Sequence, residues 1–298
     1  MADKRILEGI IDLHIHAGPS VMPREVDALE MLEEAQKCKY RAFVVKDHFA
    51  PTVMTAQVLN KHLAKDGVQV FGGIALNNSV GGLNVKALDA AYAMGAKIFW
   101  MPTVSTLHHI EAHSGGHGIK FPSTKGMTVA EKPMVYIDDR GQLVPEAVEV
   151  LEYAAAREDL IMGTGHGSLA EVDAAIVKAA ELGVKKILVN HPFYMIGAGI
   201  DSIKKWADLG AYIELNATVF VPDSKFCTTP ISVAKEIIDT VGPEKIVIDS
   251  DYGQNGNGSV SEGLAAFIEM IMENCGVTEE ELAVMTKKNP AKLLGIEV

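Results

Sequence analysis

The chain has 298 residues, 48% of them hydrophobic, which is enough to form a large core, and a single α/β barrel commonly uses about 250 residues. Its formal net charge of −12 and the lack of a long Lys/Arg run argue against nucleic-acid binding, and no apolar run is long enough to span a bilayer. Because the first residues also lack the apolar segment of a secretory signal, the sequence predicts one cytoplasmic domain over residues 1–298.

Short apolar runs, typical of strands, alternate along the chain with amphipathic stretches that are typical of helices. Ser168 and Glu171 begin one such helix with a capping-box pattern, and Pro230 and Gly242 bound another. The predicted strands are residues 9–14, 41–46, 68–75, 96–101, 159–163, 186–190, 211–215 and 245–250. Most of them recur at about thirty residues, which is the length of one βα unit.

This alternation predicts a parallel sheet covered by helices, which forms either a closed (β/α)8 barrel of the TIM type or a doubly wound open sheet. The open sheet usually has fewer strands and often carries a Gly-rich phosphate loop after the first one. Here the first strand is followed by His14, Ile15 and His16, which is not a dinucleotide-binding pattern. The eight units therefore favour the barrel.

The connection between the fourth and fifth predicted strands is longer than the others. Residues 104–143 contain His108, His109, His113 and His117, and a hairpin-like pattern lies near their end. Since long loops in compact domains are usually functional or disordered, we predict an insertion between strand 4 and its helix that serves as a lid. Its histidines either belong to the lid surface or reach over the site, where His109 and His113 would bind substrate or a second metal ion.

Polar and ionisable residues occur at the C-terminal end of the predicted strands. In chain order they are Asp12, His14 and His16; Lys46, Asp47 and His48; Asn77 and Asn78; Thr103; Thr164 and His166; Asn190 and His191; Glu214, Asn216 and Thr218; and Asp249 and Asp251. In a barrel these ends converge on one face, where the active sites of such enzymes lie. His14 and His16 are two residues apart on a strand, so both project to the same side and suit one metal ion.

The ordered set of ligand types resembles the amidohydrolase superfamily, whose members carry HxH after strand one, His after strands five and six, and Asp after strand eight. The matching residues are His14 and His16, His166 in GTGH, His191 in VNHP, and Asp251 in IDSDYG. The closing segment NPAKLLG, residues 289–295, also resembles members of this family, so the resemblance covers nearly the whole chain. It implies a metal-dependent enzyme whose ligands are these five residues, with zinc as the favoured metal.

The fourth predicted strand departs from the pattern of binuclear members, which carry a bridging Lys or Glu at its end. Lys97 lies at the wrong end of that strand, and residues 101–103 offer no bridge. A mononuclear site is therefore favoured over a binuclear one. Lys46 is an alternative bridge, or it provides a positive charge for an anionic substrate group.

The resemblance also implies roles in catalysis. Asp251 would carry a proton from water to the leaving group, and His191 would be either a ligand or a donor to the developing oxyanion. Lys46, His48 and Asn216 are expected to bind substrate. Asp249 is expected to orient a ligand histidine.

Several functions stay open at this point. Hydrolysis of an amide, lactone or related bond of a small molecule is the leading prediction, and decarboxylation with similar ligands is the second. Phosphoester hydrolysis of the polymerase-and-histidinol-phosphatase type is disfavoured, because that family needs other ligands and lacks the NPAKLLG ending. A metal-binding barrel without catalysis would not need the proton carrier Asp251. No nucleic acid or membrane is expected as a partner, and a homo-oligomer is possible.

Overall fold

The computed structural model describes residues 4–114, 124 and 126–298, and its centre is a parallel sheet of eight strands in chain order. The strands are β1 (Ile11–Ile15), β2 (Ala42–Val45), β3 (Gln69–Ala75), β4 (Ile98–Trp100), β5 (Ile161–Gly163), β6 (Ile187–Val189), β7 (Tyr212–Asn216) and β8 (Ile246–Asp249). All eight predicted strands are present, and each begins and ends close to its predicted bounds. The parallel pairing runs without interruption from β1 to β8.

The sheet returns to its first strand just beyond the end of β8. The Asp251 N–H donates to His14 O at 2.8 Å, and the His16 N–H donates to Tyr252 O at 2.8 Å. Ile15 and Tyr252 form a parallel bridge between these two bonds. The sheet is therefore a nearly closed barrel, and the prediction of a (β/α)8 fold is confirmed.

Helices connect the strands and pack around the outside of the barrel. They are α1 (Ala28–Lys37), α2 (Val53–His62), α3 (Val85–Ala93), α4 (Leu107–Ser114), α5 (Pro145–Ala155), α6 (Leu169–Leu182), α7 (Ile200–Asp208), α8 (Ala217–Phe220), α9 (Ile231–Val241), α10 (Val260–Cys275), α11 (Glu279–Ala283) and α12 (Asn289–Leu294). Short 3-10 turns cover Lys4–Leu7, Asn78–Val80 and Pro243–Lys245, and a π-helical turn covers Val284–Lys288. In the described part of the chain, none of these helices has the length and apolar character needed to cross a membrane.

Two apolar clusters follow from the alternation of side chains along the strands. The inner cluster fills the barrel and includes Leu13, Val44 and Trp100, with Leu293 and Leu294 of α12 packed against it. The outer cluster lies between the sheet and the helices. Because most of the interior is apolar, the buried polar side chains gather towards the carboxyl ends of the strands.

Strand β1 breaks this alternation at the position where the site begins. Leu13 belongs to the inner cluster, whereas Ile15, two residues later, belongs to the outer one. The pairing register with β2 shifts between Asp12 and Ile15. Asp12 Oδ1 accepts a hydrogen bond from the His14 N–H at 3.0 Å, which holds the irregular segment. Such a bulge redirects a side chain, here the imidazole of His14.

The long insertion lies between β4 and α5, the barrel helix that follows it. It contains α4 and a hairpin in which Ile137 pairs antiparallel with Leu143, as predicted. Residues 115–123 and 125, which include His117, lie outside the described residues. The hairpin is fixed to the barrel because the Tyr136 N–H donates to Glu171 Oε1 at 2.9 Å. Glu171 Oε2 also accepts the N–H and hydroxyl of Ser168, which completes the predicted capping box of α6.

Replacing Glu171 by Ala should therefore weaken both the α6 cap and the attachment of the insertion. Glu171 is 2% exposed, so the Tyr136 N–H would lose its partner in a buried position. We expect a loss of roughly 2 kcal/mol in the free energy of unfolding, measured by denaturant titration. Glu281→Ala is the matched control, because Glu281 has the same place in the capping box of α11. An equal loss in the two variants would contradict the anchoring role.

Candidate metal centre

The five predicted ligands meet at the carboxyl end of the barrel. They are His14 in β1, His16 just after it, His166 after β5, His191 after β6 and Asp251 after β8, and all are at most 9% exposed. His191 and Asp251 have positive φ angles of 47° and 51°. Such values are uncommon for residues other than glycine. The two loops thus leave their strands by a sharp turn that directs both side chains inward.

Asp251 lies at the centre of this group. Its Oδ1 is 3.1 Å from His14 Nε2 and 3.0 Å from His16 Nε2, and its Oδ2 is 3.9 Å from His191 Nε2. The Thr218 hydroxyl donates to Oδ2 at 2.9 Å. Burial alone would raise the pKa of Asp251, but the imidazoles of His14 and His191 outweigh it and hold that pKa well below its usual value. The carboxylate is therefore ionised.

His14 is oriented from below by Glu214 of β7. His14 Nδ1 lies 3.1 Å from Glu214 Oε1, and Asn190 donates to Glu214 Oε2 at 3.0 Å. Burial tends to raise the pKa of Glu214, but the nearby His14 lowers that pKa by a larger amount, so Glu214 is ionised. A carboxylate that accepts the Nδ1 proton leaves Nε2, the nitrogen beside Asp251 and Lys46, as the atom that could bind a metal ion.

Asp249 and Asn216 lie beside this pair rather than at the open side of the site. Asn216 Nδ2 donates to Asp249 Oδ1 at 2.5 Å and lies 3.4 Å from His14 Nδ1. Burial, and then repulsion by Glu214, raises the pKa of Asp249 well above its usual value. Glu214 thus has the contact with His14 that the sequence analysis expected of Asp249. The sequence places both carboxylates at strand ends and does not distinguish them.

Lys46, after β2, is fully buried and contacts the same histidine. Its Nζ lies 2.9 Å from His14 Nε2 and 5.1 Å from the centroid of the Trp100 ring. Burial lowers the pKa of Lys46 to about 8, and Asp251 and Glu214 oppose that shift. A metal ion at His14 Nε2 would replace this contact, because both need the same lone pair.

A cavity of about 490 Å³, counting its opening to solvent, lies above the five residues. His48, His109 and His113 line it, as do His16, His166 and Asp251. His48 Nδ1 is 2.9 Å from the Thr103 hydroxyl, and its ring lies 4.9 Å from that of His16. His113 is half-buried and packs on His109 at 4.4 Å between ring centroids.

Helix α4 of the insertion reaches the centre through His109. His109 Nδ1 and His166 Nδ1 are 2.9 Å apart, and the two rings are nearly parallel. One of the two nitrogens must carry a proton and the other must not. Burial lowers the pKa of both residues well below the usual value, so both rings are neutral and the contact fixes their tautomers. The sequence predicted His109 at the substrate, and it carries no pattern that indicates a contact with a predicted ligand.

The donor set fits a divalent transition metal. His14, His191 and Asp251 each offer one ligand atom, and these atoms lie within 4.8 Å of one another. His16 Nδ1, His166 Nε2 and His191 Nδ1 are buried without a hydrogen-bond partner among the described residues. Burial lowers the pKa of His191 to about 4 and that of His16 well below 6.5, so these imidazoles are neutral. Neutral imidazoles with a carboxylate are typical zinc ligands.

Comparison with solved structures supports the fold. The chain resembles a putative 2-pyrone-4,6-dicarboxylic acid hydrolase from Pseudomonas putida (TM-score 0.59, 10% identity, covering 97% of this chain and 98% of that one). It also resembles the 2,6-dihydroxybenzoate decarboxylase from Rhizobium (TM-score 0.55, 10% identity, covering 97% of this chain and 100% of that one). A third similar structure is an amidohydrolase from Burkholderia multivorans with bound zinc (TM-score 0.52, 10% identity, covering 97% of this chain and 100% of that one). The chain thus shares its barrel fold with solved amidohydrolase structures.

Sequence comparison identifies the family more narrowly. No curated protein sequence matched the chain. The model of DUF6282, a family of unknown function, matches residues 9–214, which run from just before β1 into β7 and include the four histidines predicted as ligands. Because this match covers more than half of the sequence, the chain belongs to the DUF6282 family.

Proposed function

We propose that this protein is a metal-dependent hydrolase that attacks an amide, lactone or related bond of a small molecule. The observation that carries the proposal is the position of Asp251, whose Oδ1 lies 3.0–3.1 Å from two imidazole nitrogens and whose Oδ2 is held by Thr218. A carboxylate placed between metal ligands and an open cavity has the position of a proton carrier.

His14, His16, His166, His191 and Asp251 are the residues proposed to hold one zinc ion. When bound, such an ion lowers the pKa of a water molecule that it holds to about 7 and polarises a carbonyl oxygen. The carboxyl end of β4 offers Met101, Pro102 and Thr103, none of which supplies the bridging carboxylate of a binuclear centre. This absence supports a single ion.

The reaction then depends on groups of the chain itself. Asp251 takes a proton from the attacking water and delivers it to the leaving nitrogen or oxygen, while Thr218 keeps Oδ2 in place. If His191 is not a ligand, its neutral ring donates a hydrogen bond to the oxygen on which negative charge develops. His48 and His113 line the cavity and are proposed to contact the substrate.

Decarboxylation is a second candidate, because the Rhizobium 2,6-dihydroxybenzoate decarboxylase shares this fold over 97% of the chain. A panel of lactones, amides and hydroxylated aromatic carboxylates, followed by mass spectrometry and by CO₂ release, separates the two reactions. Hydrolysis adds water to the substrate, whereas decarboxylation releases CO₂. We expect ring opening or amide cleavage, and CO₂ release without any hydrolysis would replace our first proposal with the second.

The proton-carrier role predicts the behaviour of Asp251→Asn. Asn keeps an oxygen near His14 and His16 but cannot accept a proton, so zinc should stay bound while turnover falls by about 10²–10⁴-fold. Elemental analysis measures the bound zinc, and assays with the best substrate of the panel measure turnover. Asp208→Asn on the exposed end of α7 is the control and should change neither. A wild-type protein that holds no metal after incubation with zinc would refute the proposed function.

The contact between His109 and His166 predicts an effect on metal affinity. His109→Ala removes the group that fixes the His166 tautomer, and zinc affinity should fall by about 10–100-fold. Competition with a chromophoric chelator measures this change. His108→Ala tests the same helix at a residue whose Nε2 contacts Met195 O instead, and it should bind zinc like the wild type. Equal losses would show that α4 acts only through packing.

A further inference from the structure

The loop between β1 and α1 places a guanidinium on the wall of the cavity. Arg24 lines the cavity, and its side chain is only 4% exposed. Its backbone forms an antiparallel bridge with Gln254, and the next residue, Glu25, donates its N–H to Gly253 O at 2.9 Å. The loop is therefore fixed to the segment that follows Asp251, which keeps the guanidinium on the same side of the cavity as the proton carrier.

The hydrogen bonding of Arg24 is incomplete. Nη2 donates to Asp47 Oδ2 at a long 3.4 Å, and Nε is buried without a partner among the described residues. Asp47 uses its other oxygen to accept the N–H groups of Phe49 and Ala50 at 2.8 and 3.1 Å. A guanidinium has five N–H donors, and leaving donors of a buried charge unmet is costly. Because this long contact with Asp47 is the one that engages the guanidinium among the described side chains, donors remain for another anion.

Apart from the histidines, Asp251 and Gln254, the remaining wall of the cavity is apolar. Met22, Met195, Val219 and Phe226 contribute apolar surface, and Tyr194 packs edge-on against His191 at 6.1 Å between ring centroids. A ligand that satisfies both parts of the wall has an apolar body and one oxyanionic group. The planar fork of a guanidinium matches the two oxygens of a carboxylate or phosphate.

We propose that Arg24 forms an anion subsite that selects substrates with a carboxylate or a similar oxyanionic group on an apolar body. This inference rests on the proposed function, because the reacting bond is assigned to the Asp251 side of the same cavity. Lys46, which the sequence also offered for this role, does not line the cavity, whereas Arg24 does. Arg24 carried no sequence signal, since it lies in a loop without periodicity.

The test measures binding of benzoate, phenyl phosphate and the neutral benzamide to the full chain by ligand-detected NMR titration. Each protein is used both loaded with zinc and treated with chelator, so that binding to the metal is separated from binding to Arg24. Arg24→Gln should weaken the binding of at least one of the two anions by about tenfold or more and leave benzamide unchanged. The two anions show whether carboxylate or phosphate is preferred.

The Asp47→Asn variant controls for a loss of anion binding that is caused only by poor folding. It removes the competing charge but keeps an oxygen for the N–H groups of Phe49 and Ala50, so anion binding should become tighter. Arg140→Gln, at an exposed arginine of the insertion, is the control and should have no effect. Equal changes for anions and benzamide in Arg24→Gln, or weaker anion binding in Asp47→Asn, would overturn the proposal. If the wild-type protein binds no zinc, the proposed hydrolase function is refuted. The titrations of the chelator-treated protein still test whether Arg24 binds anions.

Discussion

The two backbone hydrogen bonds that join β8 to β1 hold the proposed centre together. The Asp251 N–H donates to His14 O, and the His16 N–H donates to Tyr252 O, so the segments that close the barrel are the segments that carry the ligands. Side chains alternate in direction along a strand, and a shift of one residue in this register would turn them away. The distances of 3.0–3.1 Å between Asp251 and the two imidazoles are therefore a consequence of closure. Fold stability and site geometry depend on the same contacts.

The sequence was sufficient to predict the barrel and to identify the residues that converge. An apolar strand with a polar C-terminal end is a local pattern, and parallel strands bring such ends together regardless of the conformation of the loops. The bulge in β1 was not predictable in this way. Regular alternation places Leu13 and Ile15 on one face, whereas the structure places them in different clusters because Asp12 holds the irregular backbone.

The contacts that orient the ligands depend on three-dimensional packing that no local pattern encodes. Glu214 and Asp249 are both acidic and both end a strand, and only the registers of β7 and β8 decide which one meets His14. His109 reaches His166 because α4 folds back over the barrel, and the hairpin that follows α4 is held by Glu171. Their positions depend on the path of the insertion, whose sequence has no periodic pattern that would predict this path.

The buried charges around the proposed centre favour the binding of a cation. Among the described groups around the centre, Glu214 and Asp251 are ionised, Asp47 pairs with Arg24, and burial raises the pKa of Asp12 only to about 6, so it too is ionised at neutral pH. Asp249 is neutral because burial and Glu214 raise its pKa, and Lys46, with a pKa of about 8, is charged. These four carboxylates and two cations give the described groups an excess of negative charge, which favours a cation at the centre. Buried charge without a partner is strongly unfavourable, so a bound cation would stabilise this part of the barrel.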